Sequence, residues 1–229
     1  MRQRRPRRYF RVKGRSLMSD LRLPSVYNLI TLRSCESTNE EAKIRARQGE
    51  VKIPDGTLIW AKEQTAGRGR RGRTWESLDG NLYLSLILRP EVSLQKAAQL
   101  SFVAAVALFD ALGNVSDPGH QIHLKWPNDV LLQEKKVAGI LLETESNCNG
   151  TLDWVVLGIG LNVAHFPRET TFPATSLMAE NWDVSIEAAL EAFARSFQIW
   201  ANNWVESGFE RIRKTWLNRA FGLGLPLEV

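Results

Sequence analysis

Three apolar runs separated by polar turns constrain the fold of this chain more than any other feature. They cover residues 130–132, 137–142 and 154–163, and the second turn contains Asn149-Gly150, a dipeptide typical of tight hairpins. Runs of this length between such turns are typical of strands. The pattern predicts an antiparallel meander.

Helical periodicity flanks the meander on both sides. Small and apolar residues recur at spacings of three and four over Leu94–Leu112, and large ones do so from Ser185 through Trp204. A further helix is expected over residues 208–219. Helices packed on a mixed, largely antiparallel sheet give an α+β fold.

The N-terminal part of the fold starts with a predicted strand over Val26–Arg33. Ser37-Thr38-Asn39 follows and opens a polar helix that ends near Gly49. Thr38 and Glu41 have the spacing of a capping box, which would satisfy the free N–H groups of that helix.

Four arginines and three glycines alternate in the seven residues 67–73, just before Trp75. Glycine lets the backbone approach a ligand closely, and arginine offers forked donors that match phosphate or carboxylate oxygens. This composition predicts a site that binds an anion. The alternative is a basic loop that contacts only solvent.

Gly67, Gly69 and Gly72 also match the dinucleotide-binding pattern Gly-x-Gly-x-x-Gly. That pattern needs a strand directly before the first glycine and a helix at the last one. Here the apolar run 57–61 ends six residues early, and residues 81–88 read as a strand. The dinucleotide interpretation is therefore rejected.

Two further motifs lie downstream, Lys125-Trp126-Pro127-Asn128-Asp129 through Glu143 and Gly158-Ile159-Gly160-Leu161-Asn162. With the arginine loop and Ser37-Thr38-Asn39, they resemble the catalytic domain of biotin-protein ligases, from about Leu32 to about Asn162. The resemblance implies the class II synthetase-like fold of biotin and lipoate ligases, in the monofunctional form.

The resemblance also implies the reaction. Biotin and ATP, with Mg²⁺, give biotinyl-5′-AMP and pyrophosphate, and the biotinyl group passes to a lysine of the biotin carboxyl carrier protein of acetyl-CoA carboxylase. An acyl-adenylate must be kept from water, so the loop 67–75 is expected to act as a lid with Trp75 over the pocket.

The site residues come from the same resemblance. Ser37, Thr38, Asn39 and Gln64 are expected to contact biotin. Lys136, Arg68 and Arg70 are the predicted catalytic cations, and Asp129 with Asn128 is expected to orient magnesium or phosphate. The complete predicted binding set is Ser37, Thr38, Asn39, Gln64, Arg68, Gly69, Arg70, Trp75, Asn128, Lys136, Gly139 and Gly160.

Structural roles stand beside these functional ones. Asn128 and Asp129 follow Pro127 and suit a turn. Gly139 and Gly160 either let a flat ligand lie against the strands or mark β-bulges. Gln64 could simply be a polar strand end.

Three other functions are alternatives to this one. Lipoate ligases have an Arg-Arg-x-Ser-Gly-Gly-Gly motif, which this loop lacks. A biotin-sensing repressor needs an N-terminal helix-turn-helix, and nothing before the first strand resembles one. A protein that binds biotin without activating it stays as the third alternative.

Composition sets the remaining expectations. The chain is 44% apolar with a net charge of +5, and residues 1–17 hold eight basic residues and no acid. We expect a basic extension (1–22), a catalytic domain (23–220) and the start of a small C-terminal barrel (221–229). Cys35 and Cys148 read as reduced thiols, and no secretory signal or membrane span is recognised, which favours the cytoplasm. No specific nucleic-acid partner is expected, and a homodimer stays open.

Overall fold

A seven-stranded sheet organises the protein. The structure, a computed structural model, describes residues 21–116, 119–146 and 151–224. The strand order is β1-β2-β3-β7-β6-β5-β4. The strands are β1 (Asn28–Cys35), β2 (Thr57–Gln64), β3 (Leu82–Leu88), β4 (Ile122–Lys125), β5 (Asp129–Leu132), β6 (Lys135–Ser146) and β7 (Leu152–Leu161).

The pairing of these strands confirms the predicted sheet. β1 and β2 are parallel, and every other neighbouring pair is antiparallel. β5, β6 and β7 form the predicted meander. Cys148 and Asn149-Gly150 of its second turn lie outside the described residues, as do the basic residues 1–20 and residues 225–229.

Helices cover both faces of the sheet. They are α1 (Thr38–Ala46), α2 (Leu94–Ala97), α3 (Leu100–Val115), α4 (Ile186–Ser207) and α5 (Phe209–Leu217). Strand side chains alternate between the faces, as a period of two requires. In β2, Leu58 and Trp60 join a large cluster with α3, α4 and α5, whereas Ile59 joins a smaller cluster with α1. The α+β prediction is confirmed.

The helix predicted over Leu94–Leu112 is interrupted once. Ser101 and Phe102 donate their backbone N–H groups to the carbonyls of Ala98 and Gln99, three residues back, so the chain turns more tightly between α2 and α3. By length and composition alone, the segment Leu94–Val115 could cross a membrane, with a mean hydropathy of 1.5. In the fold, α3 packs against α4 and the sheet as a core helix.

Asn81, which directly precedes β3, fixes the turn that follows β7. Its Oδ1 accepts the backbone N–H groups of Val163, Ala164 and His165 at 2.9–3.0 Å. Its Nδ2 donates to the carbonyl oxygen of His165 at 2.9 Å. Because Asn81 is only 2% exposed, water cannot replace these bonds.

We predict that Asn81→Ala lowers the free energy of unfolding by about 2 kcal/mol or more, since two buried N–H groups lose their acceptor and the third keeps only its 3.2 Å bond to the carbonyl of Gly80. Chemical denaturation measures this. Asn202→Ala, at an exposed position of α4, is the control and should change stability by about 0.5 kcal/mol or less. Equal effects of the two substitutions would contradict the role of Asn81.

Candidate active site

One cavity of about 1000 Å³ collects every predicted site residue. It lies where the start of α1, the arginine loop and the turn before β5 meet strands β6 and β7. The predicted residues that line it are Ser37, Thr38, Asn39, Gln64, Arg68, Gly69, Arg70, Trp75, Asn128, Asp129, Lys136, Gly139 and Gly160. Their roles toward ligands stay predictions.

The start of α1 forms a buried polar pocket at one end of the cavity. Ser37, Thr38 and Asn39 are each 3–4% exposed. The backbone N–H of Thr38 donates to Gln64 Oε1 at 2.7 Å, and the Thr38 hydroxyl lies 3.1 Å from the same oxygen. Gln64, the last residue of β2, therefore satisfies the helix terminus from another element.

The predicted capping box of Thr38 and Glu41 is wrong. Thr38 is already the first residue of α1, and Ser37 precedes it as the cap residue without a side-chain capping bond. The Glu41 carboxylate pairs with Arg45, one turn further along α1. Instead of a local cap, Gln64 provides the acceptor for the first N–H of the helix.

Ser85 is a site residue that the sequence analysis missed. It is fully buried in β3, and its Oγ lies 2.6 Å from Asn39 Oδ1 and 2.8 Å from Thr38 Oγ1. A serine inside the apolar run 82–88 was the available signal, since a buried hydroxyl needs a partner.

Glycines of β6 and β7 form a flat floor in the middle of the cavity. Gly139 and Gly160 are cross-strand partners in regular register, so the alternative of a β-bulge is wrong at these positions. The indole of Trp75 lies on them: a Cβ on Gly160 would come 2.5 Å from Trp75 Cε2, and one on Gly139 2.9 Å from Cζ3. Gly158 similarly makes room for Asn39.

The arginine loop turns tightly within the longer segment 65–81 that connects β2 and β3. Only a single 3₁₀ turn, Arg70–Gly72, follows its first glycines, and Arg71 has the left-handed φ of 56°. β2 continues to Gln64 rather than stopping at residue 61 as expected, but no α-helix opens at Gly72. The rejection of a dinucleotide-binding loop is thereby confirmed.

Two arginines of this loop contact polar side chains. Arg70 Nη1 donates to Asn128 Oδ1 at 3.3 Å, and Arg68 forms an ion pair with Glu40 of α1. Both arginines line the cavity and leave donors facing it. They give this end of the cavity a positive charge.

Lys136 adds a third cation beside the glycine floor. Its Nζ lies 2.7 Å from Asp129 Oδ1 and 5.3 Å from the centroid of the Trp75 ring. Its backbone is held by Pro173 and Thr175. The sequence had not indicated the segment around these two residues. Its Phe172 lines the cavity, and the Lys125 ammonium lies 4.2 Å from the centroid of the Phe172 ring.

Arg70 donates to Asn128 Oδ1, and Lys136 lies against Asp129 Oδ1, so both residues already contact a cation. Among the described ranges, no three His, Cys, Asp or Glu side chains cluster as metal ligands. This donor set does not fit a magnesium ion held by the protein alone. Direct contact between Asp129 and magnesium stays a prediction.

We predict that Gly160→Ala forces the Trp75 indole off the glycine floor, because the new methyl would overlap its atoms. The Trp75 indole N–H signal in a ¹H–¹⁵N NMR spectrum, assigned with Trp75→Phe, should shift. Gly113→Ala is the control, since a Cβ there meets nothing within 4 Å. An unmoved signal in Gly160→Ala would refute this packing.

Comparison with known proteins agrees with this geometry. Residues 32–162 match the model of the biotin/lipoate A/B protein ligase family. A biotin-[acetyl-CoA-carboxylase] ligase of Paracoccus denitrificans is 42% identical over 84% of this chain and 80% of its own length. The bifunctional ligase/repressor BirA of Bacillus subtilis is 38% identical over 76% of this chain, but over only 55% of its own.

Solved structures give the same answer. The biotin protein ligase from Aquifex aeolicus in complex with biotin and ATP superposes with a TM-score of 0.70 at 33% identity, over 86% of this chain and 80% of that one. The resemblance to biotin-protein ligases is confirmed, and the chain belongs to the biotin/lipoate A/B protein ligase family.

Proposed function

We propose that the protein activates biotin with ATP and transfers it to a lysine of a biotin carboxyl carrier domain. A biotin carboxylate oxygen attacks the α-phosphorus of ATP, which forms biotinyl-5′-AMP and releases pyrophosphate. The amine of the acceptor lysine then attacks the acyl carbon, and AMP leaves. The observation that carries the proposal is the order of surfaces in one cavity: a buried polar pocket, a glycine floor covered by the Trp75 indole, and a cluster of cations.

The polar pocket suits the head of biotin. A ureido group is neutral and has both N–H donors and a carbonyl acceptor, which match the hydroxyls and amides of Thr38, Asn39 and Gln64. Ser37 completes this group. Thr38, Asn39 and Gln64 are held by one another or by β3 before any ligand arrives, so little order has to be created on binding.

The cationic end suits the reacting groups. The first step brings a carboxylate to a triphosphate, so charge must be neutralised by groups already in place. We assign this role to Arg68, Arg70 and Lys136. Gly69 and Asn128 support the loop and Arg70 in the same region.

The polar pocket also discriminates between the two ligands of the family. Lipoate carries a dithiolane ring, which has neither N–H groups nor a carbonyl. Placed against Thr38 and Asn39, this ring would displace water from polar groups and give them no hydrogen bond in return, a loss that pockets built for hydrogen bonding reject strongly. Biotin is therefore the substrate we propose.

The proposal includes the limits of the catalytic domain and the acceptor protein. We assign residues 23–220 to the catalytic domain and propose the carboxyl carrier protein of acetyl-CoA carboxylase as the acceptor. The name of the Paracoccus denitrificans relative supports this choice. A cytoplasmic location and the absence of specific nucleic-acid binding stay expectations from the sequence, and the homodimer stays open.

We predict that Lys136→Ala lowers kcat for biotin-dependent pyrophosphate release by about a hundredfold to a thousandfold, because a fixed charge at the reacting groups is lost. Lys135→Ala is the matched control. Its side chain is 47% exposed and its ammonium pairs with Glu180, away from the main cavity, so a change of about threefold or less is expected.

The assay also tests the proposal as a whole. The unaltered protein should release pyrophosphate with biotin and not with lipoate. Biotin binding without pyrophosphate release would favour a binding protein that lacks ligase activity. Turnover with lipoate would overturn the assignment of the polar pocket.

A further inference from the structure

A continuous series of polar contacts runs from the polar pocket to the arginine loop through residues outside the cavity lining. Asn39 Nδ2 donates to Glu143 Oε2 at 2.8 Å. Glu143 Oε1 accepts from Lys43 Nζ at 2.9 Å, and the same ammonium donates to Glu40 Oε1 at 2.6 Å. Glu40 in turn forms the ion pair with Arg68.

The first part of this series determines which way the Asn39 amide faces. Ser85 lies at the Oδ1 side and Glu143 at the Nδ2 side. A carboxylate can only accept hydrogen bonds, so it selects the amide orientation with the nitrogen toward β6. The opposite orientation would turn the Asn39 oxygen toward an anion.

The charge of Glu143 is maintained by its neighbours. Burial alone would raise the pKa of this carboxyl, but hydrogen bonds from Asn39 and Lys43, with the charges of Lys43 and Arg68, bring the pKa below its ordinary value. The group therefore stays an anion at neutral pH.

The second part of the series connects α1 to the loop. Lys43 lies between two carboxylates, and the order Glu143, Lys43, Glu40, Arg68 alternates in sign. The side chain of Lys43 is 14% exposed, so water screens these pairs less than it screens surface ion pairs. Arg68 is thereby held at the end of the cavity by residues that do not line it.

We propose that Glu143 is a positioning residue, which orients Asn39 directly and holds Arg68 through Lys43 and Glu40. It couples the pocket for the biotin head to the loop that meets the carboxylate and the phosphate. The inference rests on the proposed function for its kinetic effect, but its structural part concerns the protein alone.

Glu143→Gln tests the coupling while preserving side-chain shape. The amide no longer selects one orientation of Asn39, and it attracts Lys43 only weakly. The KM for biotin should rise about tenfold, as expected for a charge-assisted hydrogen bond, whereas the KM for ATP should rise less, because Arg68 is one of three cations assigned to the triphosphate.

Glu145→Gln is the matched control for this variant. Glu145 lies two residues along β6 on the same face and also pairs with a cation at the end of α1, but that cation is Arg47 and not Lys43. Its substitution should leave both KM values unchanged. The two variants should have the same melting temperature to within a few degrees. A difference in KM then reflects the positioning of Asn39 and Arg68 and not a loss of stability.

Lys43→Met isolates the second part of the series, because it keeps the bond between Asn39 and Glu143. Hydrogen–deuterium exchange of residues 67–75 should be faster in Lys43→Met and in Glu143→Gln than in the unaltered protein or Glu145→Gln.

Unchanged exchange in Lys43→Met, or a KM for biotin in Glu143→Gln equal to that in Glu145→Gln, would overturn the proposal. If the unaltered protein released no pyrophosphate, the proposed function would fail, and the exchange comparison would still decide the coupling.

Discussion

The hydrogen bond between the Thr38 backbone N–H and Gln64 Oε1 is the contact on which the site depends. It caps the N-terminus of α1 with a side chain from β2. The helix and the sheet therefore cannot move apart without leaving a buried donor unpaired. The other end of the same amide donates to Ser77, which closes the arginine loop. One glutamine thus fixes the polar pocket and the base of the loop together.

The glycines of β6 and β7 shape the middle of the cavity because they carry no side chains. Gly139 and Gly160 face each other across β6 and β7, and the surface that they leave is filled by the Trp75 ring. Lys136 lies at the edge of this surface, where its backbone pairs with β5 on one side and is held by Pro173 on the other. Hydrophobic packing below the sheet keeps this arrangement rigid.

Much of this architecture could be predicted from the sequence, for identifiable reasons. The meander and the long helices have strong local periodicity, and the two long motifs carry the resemblance from which the site residues came. What failed depends on contacts distant in sequence. The cap of α1 comes from Gln64, Ser85 acquires its role only through Asn39, and the segment around Phe172 reaches the cavity by pairing with Lys136. Local propensity contains no information about such partners.

A crystal structure of the protein with biotin tests these roles most directly. The ureido head should lie within hydrogen-bonding distance of Thr38, Asn39 and Gln64, with the carboxylate directed toward Arg68 and Lys136. A biotin bound in the reverse direction, or outside the cavity between α1 and the glycine floor, would contradict these roles.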